Sequence, residues 1–180
     1  MRKLSRCCKS LFKENSGLAT IEFALASTIL VYGLMNGLEA ARYSFQKMEV
    51  RNAVHAAAHA AWNACDTQHL PAKTNCGTAL NTAIANGLAS TSLGTAVTAT
   101  ATSPTEGYYC LATSGSSNTL TLATSQSTPT CSNVGGVAYT PADYLFVSAT
   151  YSYTPLFGTK LTIGHLFPTT ITATSQIRLK

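Results

Sequence analysis

One acidic side chain stands inside the most apolar stretch of this sequence. In residues 16–43, "SGLATIEFALASTILVYGLMNGLEAARY", Glu22 follows Gly17 by five positions and is surrounded by apolar residues. An ionised side chain in the middle of a membrane helix costs about 3 kcal/mol or more, so it is normally paired or functional. Glu22 is therefore expected either to neutralise a specific positive charge or to lie at a helix N-terminus, where the helix dipole favours an acid.

Two histidines have the spacing of metal ligands without the rest of a metal site. His55 and His59 lie at i, i+4 in "VHAAAHA", but the glutamate of the zinc-protease motif and a third ligand are missing. Solvated or packing histidines are the better interpretation. We predict no metal and no cofactor.

The remaining reactive side chains do not form a catalytic set. Cys65 with nearby His69 would suit a thiol nucleophile, but a cysteine outside the cytoplasm is more often half of a disulfide. The other acids of the C-terminal part are isolated in sequence; they are Asp66, Glu106 and Asp143. We therefore predict that the protein is not an enzyme.

The positive charge of the chain is concentrated at its N-terminus. The formal charge is +5, and residues 1–17 hold five of the twelve basic residues but one of the seven acidic residues. The remainder is almost neutral, which leaves too little basic charge for a nucleic-acid-binding face. Nucleic acid is thus excluded as a partner, and residues 1–17 are interpreted as a basic cytoplasmic tail.

The run that follows the tail is long enough to cross a membrane. The 21 residues from Leu18 to Leu38 carry one formal charge, and as a helix they would reach about 31 Å, the hydrocarbon thickness of a bilayer. Basic residues before the run place the N-terminus in the cytoplasm. A buried core helix is the alternative, but five basic residues directly ahead of the run argue against it.

The helical pattern continues beyond the predicted span. Residues 36–65 contain no proline and are rich in good helix formers, which predicts one helix from about 19 to 64, with 39–65 outside the membrane. A stripe of small apolar residues should let a sheet or a second helix approach closely; it consists of Val50, Ala53, Val54, Ala57, Ala58, Ala61 and Trp62. After a break at Pro71 and Gly77, a short amphipathic helix is expected around 80–88.

Residues 66–180 are expected to form a Ser- and Thr-rich head. The alternating "TLTLA" at 119–123 predicts short strands in its middle, with a flexible or glycosylated stalk as the alternative. Residues 144–153 and 169–180 alternate with period two, so we predict a strand pair joined by a long loop. The fold class is therefore α+β, with a long N-terminal helix packed on a small antiparallel sheet.

The six cysteines divide between the two sides of the predicted membrane. Cys7 and Cys8 fall in the tail, and four more fall in the head. Four cysteines in an oxidising compartment suggest two disulfides with three possible connectivities. The pairing that closes short local loops is favoured, namely Cys65–Cys76 and Cys110–Cys131. A zinc site is the competing interpretation, but no CxxC pair is present.

The segment "GLATIEF", residues 17–23, resembles the processing motif of type IV prepilins, and of the Flp/Tad branch in particular. The surrounding residues extend the match. "GLATIEFALASTILVYGLMNGLEAARY", the alanine-rich helix after it, and the terminal "ATYSYTPLF" and "TTITATSQIRL" are similar to the TadE-like pseudopilins of tight-adherence pilus systems. The resemblance covers both ends of the chain, whereas residues 66–140 match no pattern of the family. The family does not require the four cysteines of the head.

The resemblance implies cleavage by a prepilin peptidase between Gly17 and Leu18, with Glu22 and Phe23 at positions five and six of the mature chain. Cleavage there would create an amine at Leu18, and Glu22 lies at i, i+4 from it, on the same side of the helix. Pairing with this amine, or with that of a neighbouring subunit, would lower the cost of both charges in lipid.

The same resemblance implies a pilin-like fold and a place in the inner membrane, with the head periplasmic or extracellular and a possible place in a pilus. The implied partners are prepilin peptidase, other pilins and pseudopilins, the inner-membrane pilus assembly platform and the lipid bilayer. The expected function is that of a minor pseudopilin in pilus assembly, adhesion or surface attachment, because the major Flp pilins are much shorter.

Two other functions fit parts of the sequence. An uncleaved signal-anchored protein with an adhesive or binding head would keep the topology without the processing. A domain released by signal peptidase after "ALA", residues 24–26, would have only Leu18–Phe23 as its apolar core. That core is shorter than the roughly 7–15 residues of a secretory signal and contains Glu22.

Overall fold

A long helix occupies the first of the residues that the structure describes. In the computed structural model, helix α1 spans Ser16–Ala64, 49 residues, close to the predicted bounds. The structure describes residues 16–65, 69–114, 117–123, 126, 128–131, 140–158 and 162–179. Most of the predicted tail, with Cys7 and Cys8, lies outside these residues, as does Asp66.

In the described part of the chain, two short α-helices and five strands follow α1. Helix α2 spans Ala72–Asn75 and helix α3 spans Gly77–Leu88. The strands are β1 (Thr98–Ala99), β2 (Thr105–Ser114), β3 (Ser117–Leu122), β4 (Ala142–Ser152) and β5 (Thr170–Arg178). The middle of the head thus contains strands at β2 and β3, including the "TLTL" segment.

The strands form one antiparallel sheet centred on β4. Strand β5 pairs with β4 from Tyr144↔Arg178 to Ser152↔Thr170, which is the predicted C-terminal strand pair. Because β5 fills that edge of β4, β2 and β1 share the other edge, with β3 added beyond β2. The sheet and α1 together confirm the predicted α+β class.

The period-two patterns place the core where the sequence predicts it. Leu145, Val147 and Ala149 of β4 are fully buried, and Ile171 of β5, which pairs with Tyr151, is buried as well. From α1 the sheet unit buries the small apolar stripe, namely Val50, Ala53, Val54, Ala57, Ala58 and Ala61. Trp62 departs from the prediction and is 49% exposed. Each residue turns the helix by about 100°, which takes Trp62 away from the stripe, while buried Cys65 returns to it.

Helices α1 and α3 meet at a glycine. A Cβ added at Gly87 would lie 2.5 Å from the Cα and 2.8 Å from the backbone nitrogen of Ala57. Backbone atoms cannot rotate away as a side-chain tip can, so the close approach requires a residue without a side chain. Gly87 thus lets α3 pack directly on the backbone of α1 at Ala57.

Replacing Gly87 with alanine is therefore expected to destabilise the head. Alanine in a helix normally gains about 0.5–1 kcal/mol over glycine, but overpacking against a backbone costs about 1–3 kcal/mol, so the unfolding free energy should fall. Gly77→Ala is the matched control, because a Cβ at this position of the same helix meets nothing within 4 Å. Urea unfolding of the full chain in detergent measures both; equal stability of the two variants would contradict the close contact.

Contacts divide the chain into two units. The first contains Met1–Tyr43 and Thr154–Phe167, and the second contains Ser44–Tyr153 and Pro168–Lys180. The connection between β4 and β5 thus belongs with the first part of α1, and the sheet belongs with the second part.

Candidate functional site

The first half of α1 has an apolar surface that the rest of the described protein does not cover. Side chains from Gly17 to Leu34 are exposed apart from half-buried Ser27, and Leu18 and Phe23 are 65% and 74% exposed. The helix is long and apolar enough to cross a bilayer. A continuous apolar surface of this size marks a site for lipid or for another protein.

The predicted processing residues lie in the first turns of this helix. Leu18 and Glu22 are one turn apart, about 6 Å along the axis, and share a face. Phe23 projects about 100° round the helix from Glu22. Among the residues that the structure describes, none has an atom within 4 Å of a Cβ added at Gly17.

The structure contains the disulfides Cys65–Cys76 and Cys110–Cys131, the pairings that the sequence favoured. The first closes the 11-residue separation between the end of α1 and the start of α3. The second closes a separation of 21 residues and ties β2 to the segment after β3. Cys110 and Cys131 are buried with Ala123 and pack against Tyr108. This disulfide is therefore the centre of a small buried cluster in a Ser- and Thr-rich region.

Sequence reasoning did not identify Glu39, the most deeply buried acid of the first unit. Its side chain is fully buried. Both carboxylate oxygens accept the Leu156 N–H at 3.1 Å, and Oε2 also accepts the Phe157 N–H at 3.3 Å. Hydrogen bonds from backbone N–H groups to an ionised acceptor are stronger than neutral ones.

Two further residues of α1 hold the same connection. The Asn36 Oδ1 atom accepts the Ile163 N–H at 2.8 Å, and the Tyr43 ring stacks on Phe167 with centroids 4.4 Å apart. We call Asn36, Glu39 and Tyr43 the clasp. Their i, i+3, i+7 spacing puts them on one face of the helix, and an acid directly after the apolar run was the available sequence signal.

The histidines are not brought together with other ligands. His55 Nδ1 lies 2.9 Å from the Ser175 hydroxyl of β5, and His59 is exposed. Within the described residues, no group of three or more His, Cys, Asp or Glu side chains could hold a metal ion.

The sheet brings two acids together that are far apart in sequence. Glu106 pairs with Leu145 and Asp143 pairs with Tyr108, which makes the two acids diagonal neighbours on one face of the sheet. Glu106 accepts the N–H groups of Ala72 and Lys73 at 2.6 Å each. The two acids line a cavity of about 240 Å³ together with Lys73 and Gln126.

Asp143 has an unusual environment for a carboxylate. It is 2% exposed, and neither of its oxygens has a hydrogen-bond partner in the part of the chain that the structure describes. Burial, and then the negative charge of Glu106, raise the pKa of Asp143 from 3.8 to about 6. At neutral pH the ionised carboxylate of Asp143 therefore destabilises the folded state.

Stability should therefore fall as the pH rises from about 4 to about 6 and then level off, because the folded state holds the Asp143 proton over that interval and the unfolded state does not. The shift corresponds to about 3 kcal/mol at most. Asp143→Asn should remove this fall and be the more stable form at pH 7, with wild-type stability at pH 4. Urea unfolding of the full chain in detergent from pH 4 to 8 checks both; an identical slope in the variant would contradict the assignment.

A larger cavity of about 450 Å³ lies between α3 and the segment around β1. Its walls include Ile84, Leu88, Val97 and Pro104, and no ionisable side chain is among the described residues that line it. It offers apolar packing and hydroxyl groups but no acid or base.

In comparisons with known proteins, no family model, curated protein or solved structure matches this chain.

Proposed function

We propose that this protein is a minor pseudopilin of a tight-adherence pilus. A prepilin peptidase cuts it between Gly17 and Leu18, the apolar half of α1 stores it in the inner membrane, and the assembly platform passes it to a pilus with other pilins. The head then lies outside the cytoplasm and contributes to assembly, adhesion or surface attachment.

The position of Glu22 is the observation that carries this proposal. It lies five residues after Gly17 on a helix whose apolar surface is exposed from the first turn onward. A lone carboxylate on such a surface is costly in lipid, and an amine at Leu18 would supply the opposite charge on the same face. Both a bilayer and a bundle of pilin helices would cover the surrounding apolar side chains.

The head is consistent with this assignment. Two disulfides tie together a Ser- and Thr-rich region with few large apolar residues, and disulfides of this kind persist in oxidising compartments. The basic residues before the apolar run favour the orientation that puts the head there.

The test is processing of the full chain in membranes that contain a tight-adherence prepilin peptidase. Wild-type chain should lose residues 1–17, and Gly17→Val should keep them, because a branched side chain obstructs the cleavage position. Gly33→Val is the matched control, since Gly33 is an exposed glycine of the same helix with open space around it; it should be cut normally. Intact mass reports each product. An uncut wild-type chain would favour the uncleaved anchor, and a shortened Gly17→Val chain would contradict cleavage at this position.

A further inference from the structure

The clasp holds the β4–β5 connection at the point where α1 leaves its apolar run. The connection comprises residues 154–167, of which 154–158 and 162–167 are described. It is bound by Asn36 and Glu39, and these two residues flank Leu38, the end of the apolar run. At about 1.5 Å per residue, both lie within one helical turn of that end. If the run spans a bilayer, the connection lies at the outer interface.

This connection exposes large apolar side chains. Leu156 is 52% exposed and Leu166 is 68% exposed, while Phe157, Ile163 and Phe167 are half-buried. Full burial of a leucine side chain is worth about 1.5–3 kcal/mol, so water around both leucines is unfavourable. Both leucines belong to the same unit of the structure as the apolar run of α1.

The backbone of the connection suits a region poor in water. The N–H groups of Leu156 and Phe157 are bound by Glu39, and that of Ile163 by Asn36. The N–H groups of Gly164 and Phe167 are bound within the connection, by the Thr162 hydroxyl and the Gly164 carbonyl. Polar backbone groups can approach hydrocarbon only when they are satisfied in this way.

The charges of the connection also suit a lipid surface. Residues 154–167 contain no Asp or Glu, and the side chains that can carry positive charge are Lys160 and His165. Lys160 lies outside the described residues, and His165 is exposed. A side chain that can carry positive charge, such as His165, favours anionic headgroups.

We infer that the 154–167 connection is a second membrane contact, in which Leu156 and Leu166 insert into the outer interfacial region of the bilayer beside α1. The clasp then holds the β4–β5 connection at the membrane surface, as a contact separate from the span. This inference rests on the membrane placement in the proposed function, and it adds lipid as a direct partner of the head.

Photolabelling of the native chain tests the contact without changing the protein. The full chain is placed in nanodiscs of phosphatidylglycerol and phosphatidylethanolamine that contain a phospholipid with a diazirine near the glycerol end of its acyl chain. We expect labelled residues at 156 and 166, in addition to labels near the outer end of α1. Labels confined to α1 would overturn the inference.

Fluorescence quenching provides a second measurement with its own controls. Leu166→Trp and Leu30→Trp are each made in a Trp62→Phe background, and the wild type keeps Trp62 as a reference about 36 Å along α1 from Leu38. With lipids brominated near the headgroup, Leu166→Trp should lose most of its emission, and Trp62 should keep it. Leu30→Trp lies within the span and should be quenched by lipids brominated deeper in the chain.

The outcomes separate the inference from the proposal on which it rests. If Leu30→Trp is quenched by lipid and Leu166→Trp only by aqueous acrylamide, the span stands and the second contact is wrong. If Leu166→Trp is shielded from both quenchers, another protein chain covers it, which also overturns the lipid contact. If Leu30→Trp is not quenched by lipid, the membrane placement itself is wrong.

Discussion

Replacing Glu22 with alanine should leave cleavage after Gly17 intact and yet remove the protein from the pilus. The carboxylate is not part of the cleaved bond, so the peptidase still produces a chain that begins at Leu18. The new amine then has no opposite charge among packed apolar helices, and breaking a buried ion pair by removing one partner costs about 3–5 kcal/mol. Since about 1.4 kcal/mol is tenfold in an equilibrium constant, the amount of the protein in sheared pili should fall by at least about tenfold.

Glu22→Gln distinguishes charge pairing from shape and hydrogen bonding, because it keeps the size of the side chain and removes its charge. It should be processed normally and incorporated almost as poorly as Glu22→Ala. Immunoblots of sheared pili and of membranes measure both pools. Normal incorporation of both variants would mean that Glu22 is an acid at a helix end with no role in subunit registry.

Replacing Glu39 with glutamine should release the start of the β4–β5 connection from α1. Glutamine keeps one carbonyl oxygen, which can still accept in the place of Oε2, but it loses the charge and turns an NH₂ group toward the Leu156 N–H in the place of Oε1. A hydrogen bond to a charged group contributes about 1.5–3 kcal/mol, so exchange of these two amides should become about 10–100-fold faster. Hydrogen exchange of the full chain in detergent, read residue by residue by NMR, measures the change.

Glu49→Gln is the matched control on the same helix. The Glu49 carboxylate accepts the backbone N–H of Ser92 at 3.1 Å and its hydroxyl at 2.7 Å. This variant should speed exchange at Ser92 and leave Leu156 and Phe157 unchanged. Unchanged exchange at Leu156 in Glu39→Gln would contradict the clasp.

Patterns among residues that are close together in the sequence predicted most of the architecture. The 49 residues of α1 are free of proline, and the burial of β4 and β5 follows period-two alternation, which a sequence displays directly. The favoured disulfides join cysteines 11 and 21 residues apart, separations that a short loop closes at low entropic cost. The spacing of Gly17, Leu18 and Glu22 on one helix also depends on local geometry alone.

The contacts that sequence reasoning missed are those between distant segments. Glu39 meets Leu156 across 117 residues, and Glu106 meets Asp143 through the register of β2 on β4. No spacing in the sequence predicts either contact, because each depends on the position that a loop or strand takes in the folded chain. The prediction that Trp62 belongs to the buried stripe was wrong for a different reason. It was based on the apolar character of the side chain, whereas the angle of about 100° per residue turns Trp62 away from the stripe.

In the proposed function, this chain is cut as a prepilin and Glu22 then pairs with its mature N-terminus. Intact mass and N-terminal sequencing of the protein from its native membrane test it most directly. We expect a chain that begins at Leu18, with Glu22 as its fifth residue. A chain that begins at Met1 would contradict it in favour of a static anchor, and one that begins at Ser27 would mean that signal peptidase releases the protein.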